Sequence, residues 1–297
     1  MSPNLLSLAA PTSAAAPPLD ECSAFAKQER LLASLRDHSS LLIAFSGGAD
    51  SAYLAWAAHR AIGARALCVT ALSASYSRHD REHAERFVLS HSIRHEFVET
   101  HEFANPLYIA NNADRCYHCK DELFTQLDAI AHERGFSAIA YGINADDTRD
   151  FRPGHRAARE HRVLAPLLDA GLTKAEIRHL SRLSGLGTWD RPASPCLSSR
   201  IPYGTAVTSE LLERIERAEA AVRILGFRQF RVRAHGANAR LELSRDELVR
   251  GIAPEMSQAL ADSIARAGFA QVTIDPEGYR QGSLNSALIE AAKAESL

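Results

Sequence analysis

A chain of 297 residues has room for about two domains of ordinary size. Its 46% apolar and 24% charged residues are a globular composition, which excludes a disordered or fibrous chain. A net charge of −2 argues against a general polyanion binder, and no apolar run reaches the ~20 residues of a membrane helix. The cationic side chains are almost all arginine; the only lysines are Lys27, Lys120, Lys174 and Lys293, so a lysine inside a motif is notable. Five unevenly spaced cysteines are too few for a disulfide scaffold and point to a reducing, cytoplasmic setting.

Residues 1–20 are rich in Ala, Pro and Ser without the charged and apolar regions of a signal peptide, and read as a disordered leader. A helix is expected over 21–38, with Phe25, Leu32 and Leu35 on its apolar stripe. Leu41 to Phe45 reads as a buried strand, followed by a helix over 52–61 and a second buried strand over 66–70. A helix over 78–89, a strand over 94–98, a helix over 120–134 and a strand over 137–141 continue the alternation. Alternating strands and helices imply right-handed βαβ units. The expected fold is therefore α/β, a doubly wound parallel sheet spanning 21–190.

Thr173-Lys174-Ala175-Glu176 is a capping box that starts a further helix. Three prolines then mark residues 191–207 as a rigid interdomain loop carrying Cys196. Beyond it, 208–297 reads as a smaller α+β domain for substrate binding or oligomerisation. It holds an amphipathic helix ending at Gly226, a hairpin around 235–238, a helix over 255–267 and a strand over 271–274.

Ser46-Gly47-Gly48-Ala49-Asp50-Ser51 lies between a buried strand and a helix. Two glycines let backbone close around an anion, and the orphan N–H groups of the helix start favour phosphate. The Gly-Lys-Ser/Thr of a γ-phosphate-transferring loop is missing, whereas Asp50 suits a Mg²⁺ ion that bridges phosphates. Gly142-Ile143-Asn144-Ala145-Asp146-Asp147 follows the fourth strand, at the strand ends where doubly wound sheets collect ligands. Asn144 and Asp147 could there reach nucleotide or metal, or Asn144 and Asp146 could simply cap a helix. Ser46, Gly47, Gly48, Asp50, Ser51, Thr70, Lys120, Gly142, Asn144 and Asp147 are the candidate ATP contacts.

Cys116 and Cys119 form a C-x-x-C at a helix start, and Cys196 lies far along the chain. The pair alone suits a redox couple or half a zinc site completed by His118 or His161. Three thiolates suit a 4Fe–4S cluster with one iron left open. Cys22 and Cys68 read as ordinary thiols. Arg115, Lys120 and Arg200 flank the reactive cysteines, and Arg231 and Arg233 share one face of the hairpin, where they could clamp a phosphate. Glu242 on the partner strand is a possible metal ligand, and Glu219 a weaker companion for substrate.

The SGGADS segment resembles the signature of the PP-loop ATP pyrophosphatases, which bind the pyrophosphate of ATP and adenylate a substrate. Together with RCYHCK, GINADDTRDFRPG, SPCLSSRIPYG and RVRAHGANARLEL, it resembles the LarE family of ATP-dependent sulfur transferases over residues 21–275. That resemblance implies adenylation of a carboxylate of pyridinium-3,5-biscarboxylic acid mononucleotide. A sulfur then displaces AMP to give the thiocarboxylate for nickel-pincer cofactor synthesis. It makes Cys196 the catalytic residue, as a sacrificed sulfur donor or as a cluster ligand with Cys116 and Cys119. Arg200, Arg231, Arg233 and Glu219 become substrate contacts. The implied cofactors are ATP, Mg²⁺ and a 4Fe–4S cluster; the implied partners are the mononucleotide and further copies of the chain, a hexamer by family analogy. A tRNA thiolase is the nearest rival, opposed by the lack of a basic surface. An amidating synthetase would leave the three cysteines without a task, and a nucleotide-binding regulator would leave Asp50 and Cys196 without one.

Overall fold

The computed structural model describes residues 19–149 and 153–280. Most of the leader, residues 150–152 of the GINADDTRDFRPG segment and the chain after 280 lie outside the described residues. A four-stranded sheet is built from β1 (Leu41–Ala44), β2 (Ala66–Leu72), β3 (His95–Glu99) and β4 (Ala138–Tyr141), all parallel, in the order β3-β2-β1-β4. The strands alternate with α1 (Glu21–Arg36), α2 (Ala49–Ile62), α3 (Arg78–Ser90), the short α4 (Pro106–Ile109) and α5 (Arg115–Arg134). Then come α6 (Gly154–Glu160), α7 (Pro166–Asp169) and α8 (Lys174–Leu183).

The apolar strand runs are explained by burial on both faces. Leu41 and Ile43 of β1 pack into one layer with α1, α2, α3 and α8, while Leu42 and Ala44 pack into the other with α5 and α6. In β2 the division repeats, Ala66 and Cys68 on the first side, Leu67 and Val69 on the second. This is the doubly wound α/β sheet expected from the sequence. Because β1 pairs with β2 on one side and β4 on the other, the chain order reverses between β1 and β4. Ligands of such sheets bind in the crevice at that point.

A second sheet, ordered β5-β6-β7, combines an antiparallel hairpin of β5 (Phe230–His235) and β6 (Asn238–Leu243) with β7 (Gln271–Ile274) parallel to β6. Phe230, Val232 and Ala234 pack against α9 (Ser209–Ile224) and α11 (Pro254–Arg266) in a separate apolar core. Between the hairpin and α11 lies α10 (Arg245–Ile252), a helix not expected from the sequence.

Two sequence expectations shift. The inward seam of α1 is formed by Ala24, Leu31, Leu32 and Leu35; Phe25 sits at its margin and is 43% exposed. Helix α5 begins at Arg115 instead of Lys120, which places Cys116 and Cys119 in its first turns. Among the described residues no helix is long and apolar enough to cross a membrane.

Candidate active site

The crevice between β1 and β4 is closed by the Ser46–Ser51 loop. Gly47 is left-handed at φ +72°, a conformation glycine takes without a Cβ penalty. Ser46 and Ser51 draw the loop tight: their hydroxyls are 3.0 Å apart, Ser46 N donates to Ser51 Oγ, and Ser51 Oγ donates to the Gly48 carbonyl at 3.1 Å. The first turn of α2 thus points its N–H groups into the crevice. Thr70 Oγ1 donates to the Phe45 carbonyl at 2.7 Å and meets His95 Nε2 at 2.8 Å, fixing the end of β1 against β2. Gly142 lets β4 approach: a Cβ there would lie 2.8 Å from Ser51 N and 2.9 Å from Ser51 Cα.

Asp50 faces Asn144 across this crevice. Asn144 Nδ2 donates to Asp50 Oδ2 at 3.1 Å, while its Oδ1 accepts from the amides of Asp146 (2.9 Å) and Asp147 (3.3 Å). Asn144 therefore caps its own turn and reaches Asp50 with the other end of the same amide. Asp50 Oδ1 is buried without a hydrogen-bond partner. Burial pushes the Asp50 carboxyl above the usual carboxylate range, against the opposing pull of Lys174, whose Nζ lies 3.9 Å from Oδ2. An orphaned carboxylate oxygen beside a phosphate-shaped loop fits a divalent cation.

Lys174 entered the sequence reading only as part of a capping box, and its proximity to Asp50 is new. It stands on the first turn of α8, where Thr173 and Glu176 do form the box. Scarcity of lysine was the one signal that could have singled it out.

The three cysteines are neighbours in space. Cys116 and Cys119 stand on α5 and Cys196 opens the 3₁₀ turn Leu197–Arg200; the three thiols interact electrostatically with one another. Desolvation among the surrounding groups pushes up the thiols of half-buried Cys119 and of Cys116, which still reaches the surface, against a reactive redox pair, which needs a low thiol pKa. Tyr108 and Tyr203 are neighbours of the thiols as well. Arg115 is buried there, with Nη1 donating to Asn111 Oδ1 at 2.5 Å and the Ser198 carbonyl at 2.9 Å. Asn111, fully buried, in turn donates to the Pro202 and Thr205 carbonyls, both at 2.8 Å. Among the described residues no group of three or more His, Cys, Asp or Glu side chains is arranged to hold a single metal ion. His161 is taken up between Asp121 and Asp128, and His118 meets Asp114 at 3.4 Å.

No family model matches the chain. An uncharacterised protein of Synechocystis sp. is 41% identical over 262 residues, covering 88% of this chain and 98% of that protein. The pyridinium-3,5-bisthiocarboxylic acid mononucleotide synthase of Lactiplantibacillus plantarum is 31% identical over 271 residues, covering 90% of this chain and 97% of the relative. The chain belongs to the LarE family. A more distant similarity, 25% over 243 residues, is to an uncharacterised protein of Methanocaldococcus jannaschii. Membership of a family with a named synthase makes this LarE-family chain an enzyme.

In this LarE-family fold three of the remaining candidates, Arg200, Arg231 and Arg233, donate to the backbone of the loop that carries Cys196. Arg200 and Glu219 form a buried pair, Nε to Oε1 at 2.8 Å and Nη2 to Oε2 at 3.0 Å. Arg200 Nη1 also donates to the carbonyls of Pro195 (2.5 Å) and Cys196 (3.1 Å). Arg231 donates to the Ala193 carbonyl and packs over Tyr279, and burial lowers its guanidinium to about 10. Arg233 donates to the Ser199 carbonyl at 2.6 Å and pairs with Glu242 at 2.9 Å. Glu242 also accepts from Arg240 at 3.2 Å. Lys120 stands on α5 beside the cysteines, its Nζ 5.8 Å from the Phe124 ring.

Proposed function

We propose that this chain adenylates a carboxylate of pyridinium-3,5-biscarboxylic acid mononucleotide with ATP and converts it to a thiocarboxylate for nickel-pincer cofactor synthesis. The observation that carries the reading is the orphaned Asp50 oxygen at the start of α2, in one fold with three neighbouring cysteines. The 31% identical synthase supports the substrate class.

In the first step a substrate carboxylate oxygen attacks the α-phosphorus and pyrophosphate leaves. The amides of the Ser46–Ser51 loop hold the leaving phosphates, and Lys174 adds positive charge at the same place. Asp50, oriented by the Asn144 amide, would hold Mg²⁺ through its unpartnered oxygen, and the ion when bound would neutralise charge on the phosphates. In the second step a sulfur nucleophile forms a bond to the acyl carbon and AMP leaves with the bonding pair.

The sulfur is either that of Cys196, whose Cβ–S bond breaks with loss of the Cα proton to leave dehydroalanine, or an added sulfide; a 4Fe–4S cluster held by Cys116, Cys119 and Cys196 would supply such a sulfide when bound. A cluster binds each thiolate to a different iron, so it asks for three neighbouring thiols and not for convergence on one point. Cys116, Cys119 and Cys196 fit that donor set.

The test is mass analysis after turnover of anaerobically reconstituted protein with ATP, Mg²⁺, sulfide and the mononucleotide. Thiocarboxylate with intact Cys196 supports the cluster route, and product matched by dehydroalanine at position 196 supports sacrifice. Pyrophosphate release with no thiolated product overturns the assignment and brings the tRNA thiolase reading forward.

A further inference from the structure

A single arginine ties the loop that carries Cys196 to the phosphate loop. Arg191 donates from Nη1 to the Gly47 carbonyl at 2.6 Å and from Nη2 to Asp80 Oδ1 at 2.5 Å. The other oxygen of Asp80 accepts from Ser77 Oγ at 2.6 Å and from Ser194 Oγ at 3.1 Å. Asp80 is buried on α3, so its position is set by the α/β sheet and not by the loop. Ser194 precedes Cys196 by two residues, and just after it Leu197 N donates to the Ser75 carbonyl at 2.8 Å. The joint is close-packed: a Cβ at Gly47 would come within 3.1 Å of Ala84 Cβ and 3.5 Å of Arg191 Nη1.

We propose that Arg191, held by Asp80, is a positioning residue that sets the Cys196 loop against the acyl adenylate formed at the phosphate loop. This rests on the sulfur-transferase reading above. Adenylation needs the phosphate loop and its cation. The second step needs a sulfur delivered by a different segment, and a misplacement of about 1 Å can cost ~10²-fold in rate. A planar guanidinium spans two acceptors in fixed geometry, which an ammonium does not. Loosening this joint therefore separates the two steps: pyrophosphate still leaves, while the waiting adenylate is hydrolysed by water to carboxylate and AMP.

The experiment uses Arg191→Lys and Ser194→Ala in the full chain, with thermal melting as a check on folding. Arg191→Lys keeps a positive charge beside buried Asp80, and Ser194→Ala leaves the ion pair intact. Pyrophosphate and thiocarboxylate are measured in one reaction, and hydrogen exchange of residues 191–199 is followed with and without ATP. The expected result for Arg191→Lys is a thiocarboxylate-to-pyrophosphate ratio at least ~10-fold lower, with pyrophosphate release reduced far less. ATP should protect 191–199 in the wild type and protect them less in both variants. Proportional loss of both products, or a ratio and exchange pattern like the wild type, overturns the proposal. If the wild type itself makes no thiocarboxylate, the function assignment fails, and the exchange measurement alone decides whether Arg191 couples the two loops.

Discussion

Asn144 and Asp50 meet across the point where the strand order of the sheet reverses, Nδ2 to Oδ2 at 3.1 Å. The two residues are 94 positions apart, yet each stands just beyond a strand end: Asp50 lies in the first turn of the helix after β1, and Asn144 caps the turn after β4. That bond satisfies one Asp50 oxygen and leaves the other buried and unpartnered. Asp50 is thus a carboxylate less comfortable than it would be in water.

Asp50→Asn should accordingly stabilise the protein while disabling it. Burial raises the Asp50 carboxyl in the folded state, so the folded protein binds this proton more tightly than the unfolded chain. From the ordinary value of 3.8 up to the raised native value, stability falls as pH rises, and the cost persists at neutral pH. Without nucleotide or Mg²⁺, the variant should melt at a higher temperature than wild type at pH 7. Pyrophosphate release should drop by roughly 10²–10³-fold, as when a preorganised charge is removed from a developing charge. A lower melting temperature would contradict the account of Asp50.

Lys174→Met removes the ammonium 3.9 Å from Asp50 Oδ2. It should reduce pyrophosphate release by about 10²-fold. The α8 capping box uses the Thr173 and Glu176 side chains, not that of Lys174, so circular dichroism should show the helix retained. Activity near wild type would mean that the lysine merely neutralises Asp50.

Gly142→Ala tests the close approach of β4 to α2. Its Cβ would meet Ser51 N, Ser51 Cα and Asp50 C at 2.8, 2.9 and 3.1 Å, and these are backbone atoms that cannot swing aside. A cost of about 1–3 kcal/mol is expected, with weaker ATP binding because the phosphate loop must shift. Chemical denaturation and nucleotide titration measure the two effects separately.

The α/β architecture was legible because strands buried on both faces are written as continuous apolar runs, as Leu41–Ala44 and Ala66–Val69 are. The tight Ser46–Ser51 loop ahead of α2 was legible because its residues are contiguous. Asp80 and Arg191 were not: they lie 111 positions apart, and nothing local marks either as half of a pair. For Arg231 and Arg233, period-2 reasoning gave the shared face, and only tertiary structure shows that the 193–199 loop lies on it, accepting hydrogen bonds from both. Helix α10 escaped notice because its eight residues, four of them charged, offer too short an apolar pattern.

Breaking the Arg200–Glu219 pair separates structural from functional consequences. Both side chains are almost fully buried, at 2% and 1% exposure. Burial works to raise the Glu219 carboxyl, but Arg200, joined by Arg231 and Arg223, holds the group below its ordinary value of 4.5. The stabilisation is therefore complete above about 4.5 and is lost as pH falls through the depressed native value. Glu219→Gln leaves Arg200 buried and uncompensated, which should cost about 3–5 kcal/mol and flatten the acid limb of the stability curve. Replacing both, Arg200→Met with Glu219→Leu, should recover much of that stability, since an apolar pair needs no compensation. It should not recover thiocarboxylate formation, because the Pro195 and Cys196 carbonyls would still lack the donor that anchors them. A double variant as active as wild type would show that Arg200 serves the fold alone.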